Sequence, residues 1–164
     1  YRLRHDGVVE RLFDNVIVGN GPCFSPNGDT LYFSDGRGVI LQFDYDHDQG
    51  LSAPRPFFDA KALGTACDGA TVDSDGNLWT ALIGAGKIGC ISPMGELKLT
   101  VDLPIPLVSS VMFGSPDLNV LFVTSISNSG NRKDAHPKSG LVFEISGLAS
   151  TGLPETAFTG KISL

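Results

Sequence analysis

One sequence pattern occurs three times in this chain and constrains the fold more than any other feature. Its second copy, TACDGATVDSDGNLWTA at 65–81, contains an acidic turn, a short strand-like run, a tight turn and the start of a second run. The first copy, GNGPCFSPNGDTLYFSD, lies 48 positions earlier, and the third, VSSVMFGSPDLNVLFVTS, lies 41 positions later. A repeat of this length with several short strands per period is typical of the blades of a β-propeller.

The runs of branched and aromatic residues predict four strands in each repeat. The predicted strands are 22–25, 31–34, 39–45 and 56–59 in the first, 70–73, 78–82, 88–91 and 97–101 in the second, and 111–114, 120–125, 140–145 and a short last strand near 155–158 in the third. Residues 1–13 predict a further strand–turn–strand unit around Asp6-Gly7. The sequence thus predicts an all-β propeller with about three and a half blades.

A closed propeller needs at least four blades. We therefore expect residues 1–164 to be the C-terminal part of a single propeller domain whose N-terminal blades lie outside this chain.

The composition is that of a globular domain with an acidic surface. Charged residues make up 18% and apolar residues 41% of the 164 residues. The net charge of −6 disfavours nucleic acid as a partner, because phosphate binding needs a basic face. No apolar run approaches the roughly 18 residues of a membrane span, so no membrane partner is expected.

The three cysteines predict buried, reduced thiols. Cys23, Cys67 and Cys90 are too scattered for a zinc motif and odd in number for a disulfide framework. Reduced thiols favour a cytoplasmic compartment.

Polar residues stand at the same position in each repeat. Asn20, Asp68 and Ser109 precede the first predicted strand of their blades, and that strand lies nearest the axis of a propeller. We therefore expect the three side chains to converge on one mouth of the central channel. Asn20-Gly21 read alone is a turn signal, but its equivalence to Asp68-Gly69 favours a shared role for the two side-chain oxygens.

Several other polar residues favour structural roles. Asp73, Asp35 and Ser125 lie at the ends of predicted strands and are expected to cap the turns there. The polar segment 126–139, which contains SNSGNRKDAHPK, is expected to be a long surface loop that could cover the channel mouth. Its His136 is predicted to be solvated rather than an acid–base catalyst.

The sequence also resembles a known family. NGPCFSPNGDTLYFSD, CDGATVDSDGNLWTAL, GKIGCISPMGEL and FGSPDLNVLFVTS keep the order and spacing of motifs in the senescence-marker-protein/gluconolactonase/regucalcin family. The resemblance covers essentially the whole chain and implies the C-terminal half, or slightly more, of a six-bladed propeller. It departs from the family at Cys67, where proline is common.

The resemblance implies a metal-dependent lactonase that opens a sugar lactone. It makes Asn20 a metal ligand and Asp68 both a metal ligand and the general base. The third ligand of the family, a glutamate, and its substrate-binding residues have no counterpart in this chain. An all-oxygen ligand set suits Ca²⁺ best, and Mg²⁺, Mn²⁺ or Zn²⁺ are compatible with it. The alternatives are a non-catalytic calcium-binding or interaction propeller and, less favoured, a scaffold without metal.

Overall fold

The computed structural model describes residues 1–160, whose regular secondary structure is almost entirely β-strand. A single turn of 3₁₀ helix, Ala60–Leu63, is the one helical element within these residues. No helix in this range is long and apolar enough to cross a membrane. The strands are β1 Arg2–Leu3, β2 Val9–Glu10, β3 Asn20–Phe24, β4 Thr30–Ser34, β5 Val39–Asp46, β6 Gly50–Leu51, β7 Arg55–Asp59, β8 Ala66–Val72, β9 Leu78–Ile83, β10 Lys87–Ile91, β11 Leu97–Asp102, β12 Val108–Gly114, β13 Val120–Ser125 and β14 Val142–Ile145. The all-β prediction is confirmed.

The strands form consecutive antiparallel sheets that match the predicted blades. The first blade has the order β3-β4-β5, with β7 paired to the first half of β5 and β6 paired to its end. The second has the order β8-β9-β10-β11 and the third β12-β13-β14, while β1 and β2 form a separate two-stranded sheet. In each blade the first strand in the chain packs against the first strand of the next blade, as the propeller arrangement predicts.

The fourth strand predicted near 155–158 is wrong, because no strand forms at these residues. The chain turns away from β14 before it reaches them. Gly152 makes an isolated bridge to Asp73 of the second blade, and the Ser74 amide donates to the carbonyl oxygen of Thr151 at 2.7 Å. Pro154 follows this attachment and has no N–H to donate to a strand partner.

Apolar side chains fill the spaces between neighbouring blades. Trp79 of the second blade is 1% exposed and meets Phe113 of the third edge to face, with ring centroids 5.8 Å apart. Ile40 of the first blade packs with Leu82 and Ile91 of the second. Burial stabilises such side chains by about 1.5–3 kcal/mol each. Trp79 is thus part of the core between the second and third blades.

Asp73 anchors the turn between β8 and β9 from inside the core. Its carboxylate is 0% exposed and accepts hydrogen bonds from the Asn77 amide at 2.8 Å, the Asn77 side chain at 2.9 Å and the Trp79 indole at 2.9 Å. The Asp75 amide donates to the same carboxylate at 3.1 Å. The predicted capping role is confirmed, and Asp73 also fixes the orientation of the core tryptophan.

The cysteines are free thiols, as predicted. Burial raises the pKa of Cys67 to about 12 and that of Cys90 to about 11, and each side chain is 2% exposed.

Because alkylation needs the thiolate, we expect both buried thiols, Cys67 and Cys90, to react far more slowly with iodoacetamide at pH 8 than the same thiols in urea. Mass spectrometry of timed aliquots measures the difference. Equal rates for native and unfolded protein would contradict the buried placement.

Candidate active site at the inner-strand bulges

The three inner strands share an irregularity at the same point of the repeat. Pairing with the neighbouring strand shifts register between Asn20 and Cys23 in β3, and between Cys67 and Ala70 in β8. In β12 the shift lies between Val108 and Ser110. A bulge of this kind redirects a side chain away from the regular alternation of the strand. Asp68 and Ser109 therefore lie within bulges, whereas Asn20 pairs with Ser34 and immediately precedes the bulge of β3.

This placement differs in detail from the sequence prediction. Asn20 opens β3, whereas Asp68 and Ser109 lie inside β8 and β12 rather than before them. The strands begin earlier because pairing continues on both sides of each bulge: Cys67 pairs with Leu82, and Ala70 pairs with Thr80. Asn-Gly and Asp-Gly are turn signals in the sequence, so the strand residues 20–21 of β3 and 66–69 of β8 were not predicted.

Gly21 allows the first two bulges to come together. A Cβ atom at Gly21 would lie 2.8 Å from the carbonyl oxygen of Asp68 and 2.9 Å from the amide nitrogen of Ala70. The φ angle of Gly21 is +54°, which also favours glycine. The bulge that follows Asn20 is therefore packed directly against the bulge that contains Asp68.

Gly69 makes the same kind of contact with the third blade. A Cβ atom there would lie 2.1 Å from the Oγ of Ser110 and 2.7 Å from its Cα. Ser109, the predicted third member, has its hydroxyl 2.9 Å from that of Thr124, and the two share a hydrogen bond. The three inner strands are consecutive neighbours, but Ser109 uses its hydroxyl within its own blade.

Asp68 is half-buried at this junction, and its carboxylate is electrostatically unusual. Burial raises its pKa above the ordinary value, and the positive charge of Arg132 opposes that rise. No hydrogen bond contributes to the shift. The Asp68 carboxylate is therefore more basic than that of an ordinary aspartate. Its oxygens are not occupied by hydrogen bonds from other described residues.

Neighbouring polar residues hold the backbone around Asp68 in place. The Ser34 hydroxyl donates to the carbonyl oxygen of Cys67 at 2.8 Å and so ties β8 to the first blade.

Asp35 is buried and accepts from the Arg37 amide at 2.9 Å. The Ser125 hydroxyl donates to the carbonyl oxygen of Leu141 at 2.7 Å. The capping roles predicted for Asp35 and Ser125 are confirmed.

The segment 126–139 forms an ordered loop at the same end of the blades. Its first amide, that of Ile126, donates to the carbonyl oxygen of Leu107, which immediately precedes β12. A bridge between Asn128 and Lys133 closes a hairpin whose tip includes Arg132. His136 is exposed, and its Nδ1 accepts from the Lys138 amide at 3.2 Å. His136 stood out in the sequence of this segment, and Arg132 did not. The concentration of basic residues in this segment of an acidic chain was nevertheless visible.

The residues at the bulges fit part of a divalent-cation site. The amide oxygen of Asn20 and the carboxylate of Asp68 are hard donors of the type that Ca²⁺ and Mg²⁺ prefer. They belong to strands whose backbones touch at Gly21. Within residues 1–160, no group of three or more His, Cys, Asp and Glu residues is arranged to hold a metal ion. A complete site would thus need at least one further acidic ligand.

Comparison with known proteins identifies the family. Residues 1–127 match the family described as SMP-30/Gluconolactonase/LRE-like region. Regucalcin of Danio rerio is 32% identical over 98% of this chain. The structure of regucalcin from Agrobacterium tumefaciens, described as a calcium-binding protein, is 29% identical over 93% of the chain with a TM-score of 0.83. A gluconolactonase from Xanthomonas campestris is 30% identical over 73% of the chain with a TM-score of 0.61.

The match covers only part of each relative. The chain spans 56% of the Danio rerio protein, 53% of the Agrobacterium tumefaciens chain and 38% of the Xanthomonas campestris chain. The architecture is part of a β-propeller, and the chain belongs to the SMP-30/Gluconolactonase/LRE-like family.

Proposed function

We propose that the intact protein is a metal-dependent lactonase that hydrolyses a sugar lactone, with Asp68 as general base and with Asn20 and Asp68 as metal ligands. The observation that supports this proposal is the close backbone packing at Gly21, which makes the strand segments next to Asn20 and around the half-buried Asp68 direct neighbours. The gluconolactonase among the structural relatives supports the reaction class. Calcium binding by regucalcin supports the choice of ion.

The chemistry follows from the position and basicity of Asp68. Its carboxylate would take a proton from a water molecule as the water oxygen attacks the lactone carbonyl carbon. When the tetrahedral intermediate collapses, the ring C–O bond breaks and Asp68 returns the proton to the departing ring oxygen. Burial raises the pKa of Asp68 in the metal-free protein, whereas a bound cation would favour the ionised carboxylate that acts as the base. A bound divalent cation would supply positive charge to the carbonyl oxygen.

We further propose that residues 1–164 are the C-terminal part of one propeller domain, completed by N-terminal blades that supply the third metal ligand. Apolar side chains of Val9 and Ile17 at one flank are 63% and 67% exposed, and Val142 of β14 at the other is 64% exposed. Further blades would cover these faces, as neighbouring sheets do within the chain.

The function is tested by adding Ca²⁺ to the intact, metal-stripped protein and following hydrolysis of δ-gluconolactone with a pH indicator. We expect turnover that depends on the metal and disappears with chelator. Calcium binding without turnover of any sugar lactone would favour the non-catalytic calcium-binding propeller instead. Lack of both calcium binding and turnover would reject the proposal.

We expect Asn20→Ala to weaken metal binding more than it changes the chemical step. The variant loses one neutral oxygen ligand but keeps the carboxylate of Asp68, so excess metal should restore a large part of its activity. Calorimetric titration with Ca²⁺ measures the affinity, and a metal titration of kcat/KM measures the recovery. The matched control is Asn27→Ala, because Asn27 is exposed in the turn between β3 and β4. Unchanged calcium affinity in Asn20→Ala would exclude Asn20 as a ligand.

A further inference from the structure

Two buried hydroxyl groups hold the backbone on either side of Asp68. The Ser34 hydroxyl donates to the carbonyl oxygen of Cys67 at 2.8 Å, and the Thr80 hydroxyl donates to the carbonyl oxygen of Gly69 at 3.3 Å. Ser34 is 2% exposed and Thr80 is 0% exposed, so water has little access to either hydroxyl. Asp68 therefore lies between two peptide groups that are each fixed by a side chain from another strand.

These two hydrogen bonds act where the pairing of the strand is interrupted. In β8 the pairing with β9 stops at Cys67 and resumes at Ala70, so Asp68 and Gly69 have no partner in the register. The Asp68 carboxylate itself is not held by hydrogen bonds from other described residues. Its direction is therefore determined by the backbone of the bulge, and that backbone is held by the two hydroxyl groups.

Ser34 also connects this bulge to Asn20. It is the last residue of β4 and pairs with Asn20 of β3. Its backbone thus lies beside the first proposed ligand, while its hydroxyl reaches the residue that precedes the second. Thr80, by contrast, belongs to the same blade as Asp68 and holds only that side of the site. Of the two hydroxyl groups, that of Ser34 is the one that spans the contact between the first and second blades.

The third blade shows that a serine at the end of this strand does not by itself link two blades. Ser125 ends β13 as Ser34 ends β4, and each pairs with the inner strand of its own blade. The Ser125 hydroxyl, however, donates at 2.7 Å to the carbonyl oxygen of Leu141, which immediately precedes β14 of the same blade. Ser125 therefore provides a matched control for Ser34.

We propose that Ser34 is a positioning residue of the metal site: by holding the Cys67 carbonyl group, it sets the separation between Asn20 and Asp68 and thereby the preference among divalent cations. Mg²⁺ requires near-ideal octahedral geometry with ligands at about 2.0–2.1 Å, whereas Ca²⁺ accepts irregular geometry at about 2.3–2.6 Å. A loosened junction between the blades should therefore weaken Mg²⁺ binding more than Ca²⁺ binding. This inference rests on the proposed function.

The test measures the affinity of the intact, metal-stripped protein for Ca²⁺ by calorimetry and its affinity for Mg²⁺ by competition with Ca²⁺. Ser34→Ala should weaken Ca²⁺ binding by roughly 3–10-fold and Mg²⁺ binding by a larger factor. Ser34→Thr, which keeps the hydroxyl, should retain most of the affinity for both ions. Ser125→Ala should keep the wild-type affinities. Urea unfolding of each variant measures the accompanying loss of stability.

The ratio of the two affinities separates positioning from a general loss of stability, because a merely structural role would lower both affinities by the same factor. An unchanged ratio in Ser34→Ala, together with loss of Ca²⁺ binding in Asn20→Ala, would overturn the inference and leave the proposed site standing. Equal losses of affinity in Ser34→Ala and Ser125→Ala would also overturn it.

Turnover assays of the same variants distinguish this inference from the lactonase proposal. A shifted ratio of affinities in Ser34→Ala, restored in Ser34→Thr, would support the inference even if the wild type hydrolysed no sugar lactone, and that result would overturn the lactonase alone. A wild-type protein that binds neither Ca²⁺ nor Mg²⁺ would reject both.

Discussion

Replacing Asp68 by Asn in the intact protein is expected to lower kcat/KM for lactone hydrolysis by about 100-fold or more, as for the loss of a general base. Asparagine keeps the size of the side chain and one oxygen ligand, but it can neither accept a proton nor carry the charge that attracts a cation. Excess metal should therefore restore little of the lost activity, in contrast to Asn20→Ala. The measurement is kcat/KM for δ-gluconolactone over a calcium titration.

The fold of Asp68→Asn should survive, and the direction of the pKa shift gives the reason. Because burial raises the pKa of Asp68, its ionised form costs stability in the metal-free protein. The stability associated with the neutral carboxyl is complete below its ordinary pKa and is lost as the pH rises through the raised value. The metal-free variant should therefore be at least as stable as the wild type at pH 7.

Asp75→Asn is the matched control, because Asp75 is an exposed aspartate of the adjacent turn. It should keep wild-type kcat/KM. Near-wild-type turnover in Asp68→Asn would remove Asp68 from the mechanism. A large fall in the melting temperature of its metal-free form would instead make Asp68 a structural residue.

Asp73→Ala is expected to give the largest loss of stability, about 3 kcal/mol or more. The substitution leaves the Trp79 indole N–H and the Asn77 side-chain N–H without their acceptor in the core, and each buried donor without a partner costs about 1–3 kcal/mol. It also removes the acceptor of the Asn77 amide, so the turn between β8 and β9 loses its anchor. Urea unfolding followed by tryptophan fluorescence measures the change, since Trp79 is the single tryptophan in the sequence.

The control for this prediction is Asp75→Ala in the same turn. The Asp75 side chain is exposed, so its removal should change the free energy of unfolding by less than about 0.5 kcal/mol. A similar small effect for Asp73→Ala would show that the buried hydrogen bonds around Trp79 contribute little net stability.

The repeat made the blades predictable, because each strand has the alternation of apolar residues that one buried face requires. The predicted β10 and β13 agree with the observed strands to within one residue at each end. The failure near 155–158 has a different origin. The path of that segment depends on contacts of residues 151–152 with the second blade, which no local pattern records.

The position of the site could be predicted only in outline. Asn20 and Asp68 stood out because they occupy one repeat position, and their bulges do lie side by side. The bulges themselves could not be predicted, because Asn-Gly and Asp-Gly occur both in turns and in bulged strands. The effect of the Arg132 charge on the pKa of Asp68 could not be predicted, because Arg132 lies in a loop of the third blade and Asp68 in a strand of the second.

Gly21 and Gly69 have a geometric consequence for the proposed closed ring. Because the backbones of successive inner strands are in contact at these two glycines, there is no free space between the strands. A closed propeller could therefore widen at one contact between blades only if other contacts between blades became narrower. A methyl group at Gly21 would move Asn20 away from Asp68 without changing either side chain. The metal–oxygen distances of Ca²⁺ and Mg²⁺ differ by only about 0.3–0.5 Å. Backbone packing at Gly21 would therefore contribute to ion selection by setting the separation of the two proposed ligands.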